Sequence, residues 1–166
     1  MTRIIAGEAR GRTIKVPAEG TRPTADRARE GLFSSLTARW GFAGSSVLDL
    51  FAGSGALGLE AASRGADEAV LVESSADAVK IIRHNMGVVK HPGVRVQEMK
   101  VGTYLASAPR KHFDLVLADP PYAFDEVDEL IAAIEPVLTD RAMVVIERHV
   151  DSADTVWPAG FEPTGQ

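Results

Sequence analysis

Residues 47–58, Val47-Leu48-Asp49-Leu50-Phe51-Ala52-Gly53-Ser54-Gly55-Ala56-Leu57-Gly58, constrain this chain more than any other stretch. An apolar run broken only by Asp49 reads as a strand buried on both faces. The glycines that follow read as a tight turn, and Ala56 onward reads as the start of a helix. A buried strand leading through a glycine turn into a helix opens a βαβ unit. That unit commits the chain to a parallel sheet covered by helices on both sides.

The rest of the sequence agrees with this start. Apolar runs at Ala69–Val72, Val94–Val96, Leu115–Ala118 and Met143–Ile146 predict four more short strands after Val47–Phe51. Helical spacing covers Ala56–Arg64, closed by Gly65, then Ala76–Met86 and Val127–Leu138. The alternation predicts an α/β, Rossmann-like, mostly parallel doubly wound sheet. Ahead of it, Arg3 to Val16 alternates loosely around Gly7 and Gly11 and predicts a β-hairpin. Pro17 to Pro23 is a turn-rich connector. A helix is then expected with Thr24 as N-cap, Asp26 and Glu30 near its positive end, and Ala28, Leu32, Phe33 and Leu36 on its apolar face. A length of 166 residues suits one folded unit. We divide it into an N-terminal hairpin extension at 1–23 and a catalytic domain at 24–166. From Asp151 the sequence runs through Pro158, Gly160, Pro163 and Gly165 with no further strand, so the fifth strand is expected near an open edge.

Gly53-Ser54-Gly55-Ala56-Leu57-Gly58 satisfies G-x-G-x-x-G, and Glu73 lies 20 residues past Gly53. Such a loop holds a nucleoside-type cofactor, because glycine lets backbone approach a ligand that a Cβ would push away. A dinucleotide would set its pyrophosphate at the helix N-terminus. Asp49, in the strand feeding that turn, would repel a pyrophosphate but suits a cation. The amino group and sulfonium of S-adenosylmethionine fit that charge, and Glu73 can accept from both ribose hydroxyls. The expected donor site is Asp49, Phe51, Ala52, Gly53, Ser54, Gly55, Glu73, Ser74 and Met99.

Leu115-Val116-Leu117-Ala118-Asp119-Pro120-Pro121-Tyr122 is a second buried strand, ending in a carboxylate, two prolines and an aromatic ring. An exocyclic amine on a nucleobase is a poor nucleophile because its lone pair is delocalised into the ring. Two acceptors on its N–H bonds favour the pyramidal geometry and the charge that develops during attack. Asp119 supplies one acceptor and the Pro120 carbonyl the other, aimed by Pro121, which restricts Pro120 to an extended conformation. Tyr122 offers a face for stacking. The product amine loses its proton readily, so no dedicated base is required. Asp119, Pro120 and Tyr122 are the expected catalytic residues.

Charge is unevenly spread. The net value is −5, yet residues 1–30 carry seven basic and four acidic side chains, leaving the remainder at −8. A basic leading segment on an acidic body places phosphate contacts at one end, or forms a solvated surface hairpin. The chain has no cysteine, which excludes a disulfide framework and thiolate metal sites. It also lacks a secretory signal and any apolar run of membrane-spanning length, in keeping with a cytoplasmic protein. His84, His91, His112 and His149 show no metal-ligand spacing, so no metal is expected, and Trp40 and Trp157 read as packing residues.

Three segments together resemble one family. They are Arg22-Pro23-Thr24-Ala25-Asp26-Arg27-Ala28-Arg29-Glu30 with Leu32-Phe33, then Asp49 to Gly55, then Asp119 to Tyr122. This set resembles the RsmD family, bacterial enzymes that methylate the N2 amine of one guanine in 16S ribosomal RNA. The likeness runs from Arg3 to about Trp157. It implies a class I S-adenosylmethionine-dependent methyltransferase fold, with S-adenosylhomocysteine as product and 16S ribosomal RNA within the small subunit as partner. A monomer is expected. The resemblance implies that the hairpin, through Arg10 and Arg12, reaches RNA and that Arg22, Thr24 and Arg27 border the active site.

This sequence departs from that pattern twice. Many relatives carry an acidic residue near the adenine at the end of the third strand. Here the stretch is Gln97-Glu98-Met99-Lys100-Val101, and Met99 takes that place, leaving adenine to backbone amides or Glu98. Relatives also continue into a final strand pair of a seven-stranded sheet that this sequence lacks. Competing readings are a DNA adenine-N6 or cytosine-N4 methyltransferase, a methylase of protein glutamine or a small molecule, and a shortened chain that binds cofactor or RNA without turnover. The DNA enzymes generally need a target-recognition domain, for which there is no length here.

Overall fold

The computed structural model describes residues 2–16, 23–121 and 126–147, with the backbone alone at 23–28 and 39. A two-residue hairpin, β1 (Thr2–Arg3) with β2 (Thr13–Ile14), leads to α1 (Pro23–Arg39). Then come β3 (Ser46–Leu50), α2 (Ala56–Ser63), β4 (Glu68–Glu73), α3 (Ala76–Val89), β5 (Val94–Glu98), α4 (Val101–Ser107), β6 (Phe113–Ala118), α5 (Val127–Ile134) and β7 (Leu138–Ile146). A single 3-10 turn, Glu135–Val137, joins the last two.

The five long strands form one sheet in the order β5-β4-β3-β6-β7, every neighbour parallel. β3 is central, and four of its five residues are buried. Strand side chains alternate between faces, and the alternation sorts the core into two layers. Val47, Ala69, Leu71, Leu115 and Leu117 pack with Phe33 and Leu36 of α1, Leu59 of α2 and Ile82 of α3. Leu48, Leu50, Val70, Val72 and Val116 face the other way, onto Val101 and Leu105 of α4 and Leu130 and Ile134 of α5. Ile4, Ala9 and Ile14 of the hairpin join the first layer, so the hairpin is built into the core.

The structure corrects the element boundaries in several places. α1 begins at Pro23, where a fixed φ suits the first helical turn, so Thr24 sits inside the helix and does not cap it. α3 runs three residues past Met86, to a left-handed Lys90 at its end. The helix from Val127 stops at Ile134, and β7 starts earlier than expected, at Leu138. α4 was not expected at all, although Val101, Tyr104 and Leu105 are buried at helical spacing. β7 is one of the two edge strands among the described residues, opposite β5, and Met143 to Ile146 are only half-buried. Trp40 packs edge-on to Phe42. No described helix is long and apolar enough to cross a membrane, and the expectations for the tail, His149 and Trp157 lie outside the described residues.

Candidate active site at the carboxyl edge of the sheet

All five parallel strands end at the same edge, and each brings a carboxylate there. Asp49 is next to last in β3, Glu73 and Glu98 close β4 and β5, and Asp119 and Glu147 follow β6 and β7. This edge is where open α/β sheets hold ligands.

The glycine loop is held at this edge by two of those carboxylates. Gly53 N–H donates to Glu73 Oε1 at 2.9 Å, and Ser75 N–H donates to Glu73 Oε2 at 2.8 Å. The 20-residue spacing of the fingerprint is thus realised as a hydrogen bond that ties the loop to the next strand. Asp49 lies beneath the loop, on the α2 face, 1% exposed. Gly58 N–H donates to its Oδ2 at 2.9 Å, satisfying a free donor in the first turn of α2. Its other oxygen, Oδ1, is buried with no hydrogen-bond partner. Burial pushes the Asp49 carboxyl up to about 8, against the lowering effect of the Gly58 N–H, and the charges of Asp119 and Glu73 add to the rise. An anion in this position lacks a counter-charge.

The loop backbone accounts for its residue types. Gly53 and Gly55 have φ of 59° and 82°. A Cβ at Gly55 would lie 2.7 Å from Leu71 Cδ2, and one at Gly58 would lie 2.9 Å from Leu71 Cδ1. A Cβ at Gly53 would meet nothing within 4 Å, so its place is open to a ligand. Phe51 also takes a left-handed φ, 58°, and its side chain turns to the α4–α5 face.

On that face lies a pocket of about 460 Å³, within the size range of small-molecule sites. Phe51, Val72, Val101, Leu105 and Leu130 give it apolar walls, and Glu73, Ser74, Lys100 and Glu129 bring polar groups. Met99 does not line it. The Met99 side chain packs on the second core layer, while its N–H donates to the Glu73 and Gln97 carbonyls. The chain position that faces the pocket after β5 is Lys100, with Val101 and Gly102 of the unexpected helix beside it. Glu98 is exposed and lies outside the lining.

Asp119 directly follows the neighbouring strand, β6. The register pairs Leu50 with Ala118, which sets Asp119 beside the Phe51–Ala52 turn. The surrounding protein, and then the Glu147 carboxylate, push the Asp119 carboxyl up to about 6. Glu147 is fixed there because its N–H donates to the Ala118 carbonyl at 2.9 Å. Pro120 is half-buried next to it. Tyr122 and Arg22 lie outside the described residues, as does the side chain of Arg27.

The hairpin arginines differ from each other. Arg10 is exposed. Arg12 instead donates to the Val88 and Val89 carbonyls at 3.2 and 2.9 Å, closing the end of α3. Sequence reasoning passed over the residues that seat the hairpin. Glu60, fully buried, accepts from Ile5 N–H, Ala6 N–H and Arg64. Ser63 accepts from Ala9 N–H and donates to the Ala6 carbonyl. Gly7 passes so close that a Cβ would sit 1.8 Å from the Ser63 carbonyl oxygen. A glutamate within the otherwise apolar run Ala56–Ala62 was the signal the sequence offered for this seat. Among the other histidines, His112 pairs with Glu68 at 2.6 Å and His91 accepts from Gly93 N–H, both structural contacts away from the site. No group of described residues could hold a metal ion.

Comparison with known proteins agrees with this geometry. The family described as Conserved hypothetical protein 95 matches residues 2–166. Ribosomal RNA small subunit methyltransferase D of Escherichia coli K12 is 37% identical over 162 residues, covering 96% of this chain and 80% of the relative. The protein of the same name from Haemophilus influenzae is 34% identical over 155 residues, covering 90% of this chain and 79% of the relative. Among solved structures, the Escherichia coli protein yhhF superposes with a TM-score of 0.82 at 37% identity, covering 95% of this chain and 86% of that one. Thermus thermophilus protein TTHA0928 gives 0.76 at 36% identity, over 89% and 86%. The loop, the strand-end carboxylates and these likenesses agree: the chain is a Rossmann-like methyltransferase that belongs to the Conserved hypothetical protein 95 family, the RsmD family.

Proposed function

We propose that this chain transfers a methyl group from S-adenosylmethionine to the exocyclic N2 amine of a guanine in small-subunit ribosomal RNA. The observation that carries the reading is the pairing of β3 with β6, which sets Asp119-Pro120 directly beside the glycine loop. One edge of the sheet thereby holds both a nucleoside-sized pocket and an amine-gripping acceptor pair. The relatives named as ribosomal RNA small subunit methyltransferases supply the substrate class.

The residues present fit the donor. Asp49 has a buried oxygen without a partner and a carboxyl that burial holds protonated, which a cationic ligand would relieve. Gly53 leaves space where a side chain would stand. The pocket of Phe51, Val72, Val101 and Leu105 offers apolar walls for an adenine, with Glu73 at its rim for ribose hydroxyls. When bound, S-adenosylmethionine supplies the electrophilic methyl. The chain's own part is position and electrostatics. Ionised Asp119 and the Pro120 carbonyl accept from the two amine N–H bonds, aim the nitrogen lone pair and stabilise the positive charge as it develops.

The ring of carboxylates also explains how the target arrives. RNA phosphates are repelled from an edge carrying the carboxylates of Glu73, Glu98, Asp119 and Glu147. The sugar–phosphate backbone therefore docks away from the edge, and a single unstacked base enters. Arg3, Arg10 and Lys15, exposed on the N-terminal segment, are the matching phosphate surface. On this reading the chain works in the cytoplasm, as a monomer on the assembling subunit.

The test is methyl transfer from labelled S-adenosylmethionine to unmethylated small ribosomal subunits, with naked 16S RNA and duplex DNA as parallel acceptors. N2-methylguanosine in subunits, identified by mass, is the expected product. Label in DNA, or no label in any acceptor, would overturn the proposal.

A further inference from the structure

Asn85 is fully buried on the otherwise apolar face of α3, and the donor chemistry does not use it. Its amide is satisfied on both sides. Oδ1 accepts from Lys15 N–H at 2.7 Å, and Nδ2 donates to the Lys15 carbonyl at 2.8 Å and to the Ser54 carbonyl at 2.9 Å. Lys15 follows β2, at the exit of the basic hairpin. Ser54 lies between the two glycines of the donor loop. One side chain thus grips both backbone groups of one segment and a carbonyl of the other, over sequence separations of 70 and 31 residues. An apolar side chain there would leave three partly buried backbone groups without this partner, which explains why a polar residue stands among Ile82, Met86 and Val89.

We propose that Asn85 is a positioning residue that couples RNA held on the N-terminal segment to donor held in the glycine loop. The inference rests on the reading that the hairpin meets RNA. The physical basis is shared ordering. A ligand that fixes Ser54 fixes Asn85, and Asn85 fixes Lys15, so the second ligand meets a segment whose freedom is already lost. Coupling of this kind is reciprocal, so RNA must tighten donor binding by the same factor. Asp is the informative replacement. Asn85→Asp keeps an acceptor for Lys15 N–H but, as the anion, loses the donor to the Ser54 and Lys15 carbonyls, so the link to the loop is cut while one bond to Lys15 remains.

Two measurements on the full chain test this. In hydrogen exchange, adding S-adenosylhomocysteine to the parent protein should slow the Lys15 amide at least about fivefold, and more than the Ala9 amide, which is tied to Ser63 instead. In Asn85→Asp the effect on Lys15 should vanish. In binding, unmethylated small subunits should tighten S-adenosylhomocysteine at least about fivefold for the parent, within the usual range of coupling, and less than twofold for Asn85→Asp. A merely structural Asn85 would lower the melting temperature and leave that ratio unchanged, which would overturn the proposal. Absence of an exchange change at Lys15 in the parent would overturn it as well, whether or not the variant folds. If subunits fail to bind, the proposed function fails, while the exchange arm still decides the link to the loop.

Discussion

Asp49→Asn separates stability from donor binding, and the two should move in opposite directions. The folded protein holds the Asp49 carboxyl at about 8 instead of 3.8, mainly through burial. Below 3.8 both states are protonated and the group has no effect on stability. Between 3.8 and about 8 the unfolded chain ionises while the folded one keeps its proton, so stability falls as pH rises through this window. At 1.36 kcal/mol per pH unit, the loss at pH 7 is on the order of 4 kcal/mol. Asparagine keeps an acceptor for Gly58 N–H and cannot ionise. The variant should therefore match the parent near pH 4 and exceed it at pH 7 to 8, with a melting temperature higher by roughly 2–4 °C for each kcal/mol recovered. Donor binding should go the other way. Losing a charged acceptor costs about 1.5–3 kcal/mol, or roughly ten- to a hundredfold in the S-adenosylmethionine dissociation constant. Thermal unfolding followed by circular dichroism at pH 4, 7 and 8, with calorimetric titration of the donor, measures both. The reasoning fails if Asp49→Asn keeps the parent's pH dependence, or if the donor binds it equally well.

Three further outcomes are expected. Asp119 must be ionised to accept from the amine, so kcat/KM should rise with pH through a midpoint near 6. Because Glu147 contributes to the raised value, Glu147→Gln should move that midpoint to lower pH, and an unmoved profile would remove Asp119 from the step. Arg10→Ala should reduce the salt slope of RNA binding by about one phosphate's worth. Arg12→Ala should change that slope less and lower the melting temperature, since its guanidinium is already bonded to α3; the reverse pattern in a salt titration would reject this division. Glu60→Ala strands Arg64 and two N–H groups of the hairpin and should cost roughly 3–5 kcal/mol, seen in denaturant unfolding and as faster tryptic cleavage at Arg10. A loss below about 1 kcal/mol would show that the hairpin is seated by other contacts.

Local sequence pattern determined much of this protein. The strand at Val47, the glycine turn and the alternation of apolar runs with helices specified a parallel α/β sheet, because two-sided burial and the left-handed turn at Gly53 and Gly55 each demand particular residues at neighbouring positions. Glu73, 20 residues past Gly53, stood out through the fingerprint spacing, which spans α2 and β4 and brings the end of the second strand back beside the loop. Tertiary structure decided what depends on residues far apart in sequence. α4 escaped notice because seven residues around a glycine carry a weak periodic signal until a sheet offers Val101 and Leu105 a face to cover. Strand register determined that Lys100, and not Met99, looks into the pocket, since one residue of shift exchanges the two faces of a chain leaving a strand. No local pattern could foretell that Arg12 would be spent on the end of α3, or that Asn85 would join Lys15 to Ser54. Hydrogen bonds over separations of 31 to 77 residues exist only once the sheet has closed and buried polar groups must find partners.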